Sequence, residues 1–480
     1  MPSTPDYLVP HLEWEAIEFP LVLHDLEFED EAYLFGPEAS ITLWRDANLQ
    51  LDANLQARMI NPRSLDKEQT TVKGNIIKQL SVRAKDENGH LVILMGCVLG
   101  GAAFNSWEAN EDGYLAKFKL IFDTVRLVFS ETPADKHFEW FFVQHMSLHL
   151  KGSTRRTLSS VNKKVRIGID EDDDDDWRSG RSTSSDYFLL DIPELTCIVS
   201  SVPKECSGRL MSGICLEFRD SEIAKVDEKL LDDLKHFLSL LLGGKLYYMG
   251  YSKIAAGELT EAFMDSPGIP LKAPVSMPPI LYNLQYDWGD FALQANLLFP
   301  AYRRLEAKLF LNHAMARYWI AQATPVGANL PVLAGGLEII ADAYLKMTGN
   351  DESAYLPKEN YEQLIKDELL SLNQKLHGLP GAEAMLNKIK GAFRKGPNEK
   401  ISLFFRLLEI DMGKPEKNAI KLRNNMTHAR RDYSIKDNAH DDIISTRVYQ
   451  ALFNRVLLKI LGYQGCYIDY STQGRPLKTI

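Results

Sequence analysis

A chain of 480 residues, 45% of them hydrophobic and 25% charged, has ample material for two or three domains with buried cores. The net charge of −10 hides an asymmetry: residues 301–480 hold 26 Lys plus Arg against 19 Asp plus Glu, a balance of +7, so residues 1–300 carry −17. Five cysteines (97, 197, 206, 215 and 466) without Cys-x-x-Cys spacing argue against a disulfide framework or a metal cluster, and no apolar stretch is both long and unbroken enough for a membrane helix.

Residues 1–162 read as a β-rich module. Leu115–Phe122 alternates apolar and polar side chains, and the runs at 91–99 and 138–150 are rich in β-formers. Glu87-Asn88-Gly89 sits between two such runs as a hairpin turn. An antiparallel, sandwich-like arrangement follows from this pattern. The opening residues have neither a basic segment nor an apolar one of signal-peptide type, so a cytoplasmic location is the expectation.

Residues 163–185 break the pattern. The run from Asp170 to Asp176 repels itself and reads as a hydrated surface loop, with no central Gly and closing Glu for an EF-hand. Residues 186–285 form a second β-rich part, with strands near 187–199, 210–218 and 245–254. Within it, Ile223–Leu242 reads as an amphipathic helix whose Leu230, Leu231, Leu234, Phe237 and Leu241 share a face. Gly243-Gly244 ends that helix. Pro267, Pro270, Pro274, Pro278 and Pro279 mark a connector.

From about 300 to 480 the period is helical throughout, with segments near 300–323, 330–348, 358–377, 382–394, 398–410, 414–433 and 438–462. The fold class is therefore α+β and multidomain: β-rich first, then an all-α bundle. In the second helix, Glu338 and Asp342 fall opposite Leu333, Leu337 and Ile340; they read as a solvated face, with pairing to the motif arginines across a bundle or dimer as the alternative. There is no Walker loop and no Rossmann glycine fingerprint.

The stretch 421–433 carries the most distinctive chemistry. Leu422, Met426, Ala429 and Tyr433 recur at helical spacing and predict one apolar stripe. Arg423, Asn424, Thr427, His428 and Arg431 then fall on the remaining arc, offering cationic, hydrogen-bonding and titratable groups to a ligand. Arg423, Arg430 and Arg431 crowd the imidazole with positive charge, which favours its neutral, basic form.

An Arg, a polar neighbour and a His after four intervening residues, on a late helix of an all-α region, resembles the signature of the HEPN superfamily of ribonucleases. The β-rich region before it, and the ending Leu461–Tyr470 after a long helix, are similar to ApeA-type HEPN proteins of bacterial phage defence. The resemblance implies an endoribonuclease that needs no metal or other cofactor, with Arg423, Asn424 and His428 as catalytic residues. Arg430 and Arg431 would bind flanking RNA phosphates. It also implies a homodimer through the helical region, and an N-terminal region that senses a phage-derived trigger. Two alternatives stay open: a catalytically inactive HEPN-type module that binds RNA or protein, and an adaptor whose basic helix pairs with an acidic partner.

Overall fold

In the computed structural model, strand and helix patterns separate along the chain as α+β. The structure describes residues 21–29, 38–45, 50–59, 80–99, 108–110, 113–143, 156–158, 163–165, 187–193, 195–202, 213–256, 258–267, 277–281, 289–349, 355–393, 396–427 and 436–480. The chain divides into two units, Met1–Ser276 with Tyr282–Leu297, and Met277–Leu281 with Leu298–Ile480. Among the described residues no helix is long and apolar enough to cross a membrane.

The first unit is built from antiparallel strands. They are β1 (Leu21–Phe28), β2 (Ser40–Arg45), β3 (Leu51–Met59), β4 (Leu80–Lys85), β5 (Leu91–Leu99), β6 (Glu108–Asn110), β7 (Gly113–Ile121), β8 (Thr124–Val128) and β9 (Lys136–Val143). Among the described residues, β10 (Arg156–Leu158) and β11 (Lys163–Val165) form a separate two-stranded sheet. After it come β12 (Tyr187–Ile192), β13 (Leu195–Val202), β14 (Gly213–Arg219), β15 (Leu246–Ala255) and β16 (Glu258–Asp265). Strict alternation sets the faces: in β3, Leu51, Ala53, Leu55 and Ala57 are buried while Asn54 is exposed.

Pairing returns on itself in the order β1–β2–β3–β7–β5–β4–β1, which closes a ring around one core. Ile41, Leu43, Leu55, Val82, Leu94 and Leu120 lie in that core. Two strands change partner to achieve this. β1 pairs with β2 over Leu21–Leu23 and, past an irregularity at His24–Glu27, with β4. β5 pairs with β8 over Leu91–Met95 and with β7 over Val98–Leu99. Gly96 sits between those stretches at φ +69°, where a Cβ would lie 2.2 Å from the Asp123 carboxylate. The predicted turn holds too: Gly89 has φ +84°, and Asp86 accepts from the Asn88 and His90 amides.

From β8 the pairing continues through β16, β15, β9, β14 and β13 to β12, so strands from both sides of the acidic run belong to one set. The run 170–176 itself lies outside the described residues. Helix α1 (Glu228–Leu242) packs on β15 and buries Leu230, Leu234, Phe237 and Leu241 of its predicted face, while Leu231 is only half-buried. It starts later than Ile223, however. Residues 220–225 make a separate 3-10 turn, and Asp227 in extended conformation caps the true first turn by accepting from the Leu230 amide at 2.7 Å. Gly243 closes it at φ 65°.

One face of this sheet carries charge. Glu261 accepts from Arg126 Nε at 2.7 Å, from the Tyr251 hydroxyl and from Lys253 Nζ at 3.2 Å. Next to Tyr251, on β9, His137 Nε2 and Glu139 Oε1 lie 2.6 Å apart and buried. Cys97, Cys197 and Cys215 are buried, whereas Cys466 is exposed; Cys206 lies outside the described residues.

The second unit is mainly helical. Helix α2 (Gly289–Leu309) spans the boundary residues 297 and 298. It is followed by α3 (Leu311–Ala323), α4 (Asn329–Met347), α5 (Lys358–Leu364), α6 (Lys366–Leu376), α7 (Ala382–Lys390), α8 (Pro397–Leu407), α9 (Lys414–Thr427) and α10 (Lys436–Ile460). The single predicted segment 300–323 is two helices, because Phe310 adopts a left-handed conformation at φ 54°. The segment 358–377 likewise breaks at Ile365. Helix α4 is central, packing against α3, α8, α9 and α10 and burying Leu330, Leu333, Leu337 and Ile340. The unit is not helical to its end: β17 (Cys466–Ile468) and β18 (Leu477–Thr479) form a hairpin. Asp469 accepts from Ser471, Thr472 and Lys478 beside its turn, and Tyr470 donates to the Pro278 carbonyl.

Two measurements check this account. At Gly250 (φ +135°) a Cβ would lie 1.9 Å from the Phe263 carbonyl oxygen. Gly250→Ala should cost about 3 kcal/mol or more in urea unfolding, and Gly89→Ala, which meets open space, only about 1 kcal/mol. Burial alone would raise the Glu261 carboxyl, but Arg126, Tyr251 and Lys253 override it and bring it from 4.5 down to about 2. A depressed acid stabilises the fold fully above pH 4.5, and that contribution disappears as pH falls toward 2. Glu261→Gln should therefore flatten the acid limb of stability in that window by about 2 kcal/mol, a figure discounted for the exposure of Arg126.

Candidate functional site

The predicted site residues fall on α9 and just beyond it. Glu416, Ala419, Ile420 and Arg423 follow one another at i, i+3, i+4 and i+7; Ala419 and Ile420 are buried, and Glu416 and Arg423 are partly so. Of the expected apolar stripe, only Leu422 has a described side chain, and it is half-buried; those of Met426, Ala429 and Tyr433 lie outside the described residues. Arg423 is on the inward face and not on the arc opposite it, with 12% of its side chain exposed.

A buried guanidinium needs partners, and α4 and α10 supply them. Arg423 Nη1 is ion-paired with Glu338 Oε1 of α4. Arg423 also donates to the phenol of Tyr449 on α10, a residue 1% exposed. Of the two readings of Glu338, the solvated face gives way and the pairing with a motif arginine is the one realised. The Glu338 side chain is only 34% exposed, because α4 is covered on several sides by other helices. One turn further, Asp342 is more exposed and pairs with Lys400 Nζ of α8 at 3.4 Å.

The helix crossing beside this pair depends on small residues. A Cβ on Gly336 would sit 3.0 Å from the Ala314 carbonyl oxygen of α3 and 3.2 Å from the Phe453 ring of α10. At Gly335 a Cβ would lie 2.9 Å from Arg317 Nη1, so the missing side chain leaves room for a second guanidinium. Arg317 feeds the electrostatics of Glu338 directly. Burial raises the Glu338 pKa and Asp342 adds to the rise, while Arg423 and Arg317 oppose it. Burial pushes the Tyr449 phenol up to about 12, with Arg423 pulling the other way.

Helix α10 adds a polar line that the sequence reading missed. Asp442, Thr446, Gln450 and Asn454 recur every four residues and all are buried. Thr446 meets Asn329 at the start of α4, at 3.2 Å. The four-residue recurrence of these polar side chains is a signal that the sequence offers. Tyr449 and Arg317 were missed because single residues on otherwise ordinary helices carry no spacing signal.

The arrangement brings together Arg423, Glu338 and Tyr449, with Arg317 and Asp342 adjacent. Asn424 belongs to α9 by its backbone, and its side chain lies outside what the structure describes. His428, Arg430 and Arg431 lie outside the described residues. Among the described residues no group of three His, Cys, Asp or Glu side chains could hold a metal. Chemically, a guanidinium offers several N–H donors to an oxyanion, and here one of its nitrogens meets the Glu338 carboxylate.

Comparisons with protein-family models, with curated proteins and with solved structures return no match.

The pair can be tested through stability. Arg423→Ala leaves the Glu338 carboxylate partly buried without its cation and should cost about 1–3 kcal/mol. Adding Glu338→Gln should recover part of that loss in the urea midpoint. Full additivity of the two substitutions would mean that the side chains do not interact.

Proposed function

We propose that this protein is a metal-independent endoribonuclease of bacterial anti-phage defence, acting in the cytoplasm through the Arg423-Asn424-x3-His428 segment. The observation that carries the reading is the seat of Arg423. Its guanidinium is oriented by Glu338 and Tyr449 from two neighbouring helices, as a residue that must grip a phosphate needs to be.

RNA brings its own nucleophile, the ribose 2′-hydroxyl beside the scissile phosphate. The enzyme has to remove that proton, stabilise charge gathering on the phosphoryl oxygens and protonate the departing 5′-oxygen. His428 supplies general base or acid catalysis, typically worth about 10²–10⁴-fold. Arg423 holds the phosphoryl oxygens, and its donors strengthen as their charge grows. Asn424 orients the imidazole or a phosphoryl oxygen, and Arg430 and Arg431 bind flanking phosphates. The products are a 2′,3′-cyclic phosphate and a 5′-hydroxyl. One motif has one imidazole, so a homodimer through the helical unit completes the acid–base pair. The β-rich unit senses the infection trigger and restrains the nuclease.

The pairing of Arg423 with Glu338 also favours a second reading, in which the helical unit binds RNA or a partner protein without cutting. In that case affinity falls with salt and no cleavage occurs.

Incubating the pure protein with mixed RNA in EDTA separates the two. Cleavage by wild type, its loss in His428→Ala, and survival of a DNA copy lacking the 2′-hydroxyl are the expected results. RNA left intact by wild type, with binding retained, leaves the non-catalytic reading.

A further inference from the structure

Helix α2 (Gly289–Leu309) has one side fixed and the other open. On the fixed side Phe291 meets Phe188 of β12, with ring centroids 5.3 Å apart, and on its flank Asn296 bonds the Asp191 amide and the Leu189 carbonyl. Further along, Tyr302 donates to Asn312 of α3 at 2.7 Å. The open side carries Asp290, Leu293, Leu297, Ala301 and Arg304, at i, i+3, i+7, i+11 and i+14. At 3.6 residues per turn these fall within roughly 80° of arc, one stripe down the helix. Leu293 and Leu297 are 63% and 61% exposed. Asp290 and Arg304 are exposed as well, and neither is ion-paired among the described residues.

Single exposed leucines are ordinary, and the helix dipole by itself favours an acid such as Asp290 in the first turn. The dipole does not account for Arg304, which lies more than a turn before the last residue of α2. Nor does it place two leucines on the line that joins these charges. What does account for the stripe is its symmetry about Leu297. Leu293 and Ala301 lie four positions to either side of it, and Asp290 and Arg304 seven. Steps of three and four residues are those by which two helices pack side by side. Turned end for end, the stripe presents an acid where it had a base, and a small side chain where it had a leucine.

We propose that this face of α2 is a docking seam for a second copy of the chain, the two helices lying antiparallel about a two-fold axis at Leu297. In that register Leu297 meets Leu297 of the second copy, each Leu293 sits over the other copy's Ala301, and each Asp290 pairs with the other copy's Arg304. A two-fold interface must be self-complementary, since one patch serves both sides, and this stripe meets that condition in both charge and side-chain size. A nucleic acid would be repelled by Asp290 and gain little from leucines, and an unrelated protein would not require the symmetry. The seam gives the homodimer of the proposed function a surface, yet it rests on α2 alone and not on the nuclease reading.

Sedimentation velocity of the full-length protein, over a range of about 1–100 μM, should show a concentration-dependent species of twice the chain mass. Leu297→Asp sets two carboxylates against each other at the axis and should weaken dimerisation about a hundredfold, with the thermal midpoint unchanged because the position is exposed. Asp290→Arg and Arg304→Asp each turn both cross-pairs repulsive, and each alone should weaken the dimer about tenfold. Mixed in equal amounts, these two variants should dimerise with each other as well as wild type does, because every cross-pair is then of opposite sign. A fluorophore on one variant reports that mixed species. A wild type that stays monomeric overturns the proposal. So does a dimer indifferent to Leu297→Asp, or charge variants that fail to recover on mixing. Should Leu297→Asp not fold, the mixing experiment decides without it. RNA cleavage is scored separately: a chain that dimerises through α2 yet cuts nothing refutes the nuclease and leaves the seam standing, and a monomer that cuts RNA does the reverse.

Discussion

A guanidinium taken largely out of water, ion-paired with a carboxylate and donating to a phenol, is the interaction on which the helical unit turns. Arg423 links α9 to α4 through Glu338 and to α10 through Tyr449. Removing either member of the Arg423–Glu338 pair would leave the other's charge partly buried without its ion-pair partner. Such a pair contributes little net stability compared with apolar packing, yet it specifies which faces of three helices must meet. The glycines of α4 serve the same end by sterics, since Gly336 lets α3 and α10 approach to van der Waals contact.

The β-rich unit solves a different problem. A long antiparallel sheet exposes edges and cannot bury both faces, and here strands β1 and β5 switch partners so that six strands close around one core. The switches need backbone that most residues resist, which is why Gly96 stands where Asp123 leaves no space for a Cβ. At the far edge, the Asn296 side chain accepts from the Asp191 amide and donates to the Leu189 carbonyl, occupying groups that would otherwise template another strand. Charge on the sheet face is handled as in the helical unit, by surrounding one carboxylate, Glu261, with several donors.

How far the chain could be read in advance follows the range of the forces involved. Local patterns were legible: the strand at 91–99, the turn at Gly89, the apolar face of α1 and its glycine stop all rest on neighbours within a few positions. Errors came where a single residue overrode a pattern. Asp227 capped α1 later than its periodicity begins, Phe310 broke one predicted helix into two, and the terminal hairpin followed a run of helices without any long strand signal. Arg423 stands out in the sequence, but periodicity assigns it to the outer arc and the structure turns it inward. A stripe drawn through Leu422 treats apolar side chains as the only ones that turn inward.

Composition and periodicity decide that this chain is β-rich and then helical, because hydrophobic alternation at two and at 3.6 residues acts through adjacent positions. Which strands meet across 100 or more residues, and whether a polar side chain is buried, depends on partners that no local window contains. Glu338 and Arg423 are 85 positions apart, and only the packing of α4 against α9 turns an apparently solvated acid into the counter-charge of the site. Burial of a charge is a property of its surroundings, and those exist only once the chain has folded.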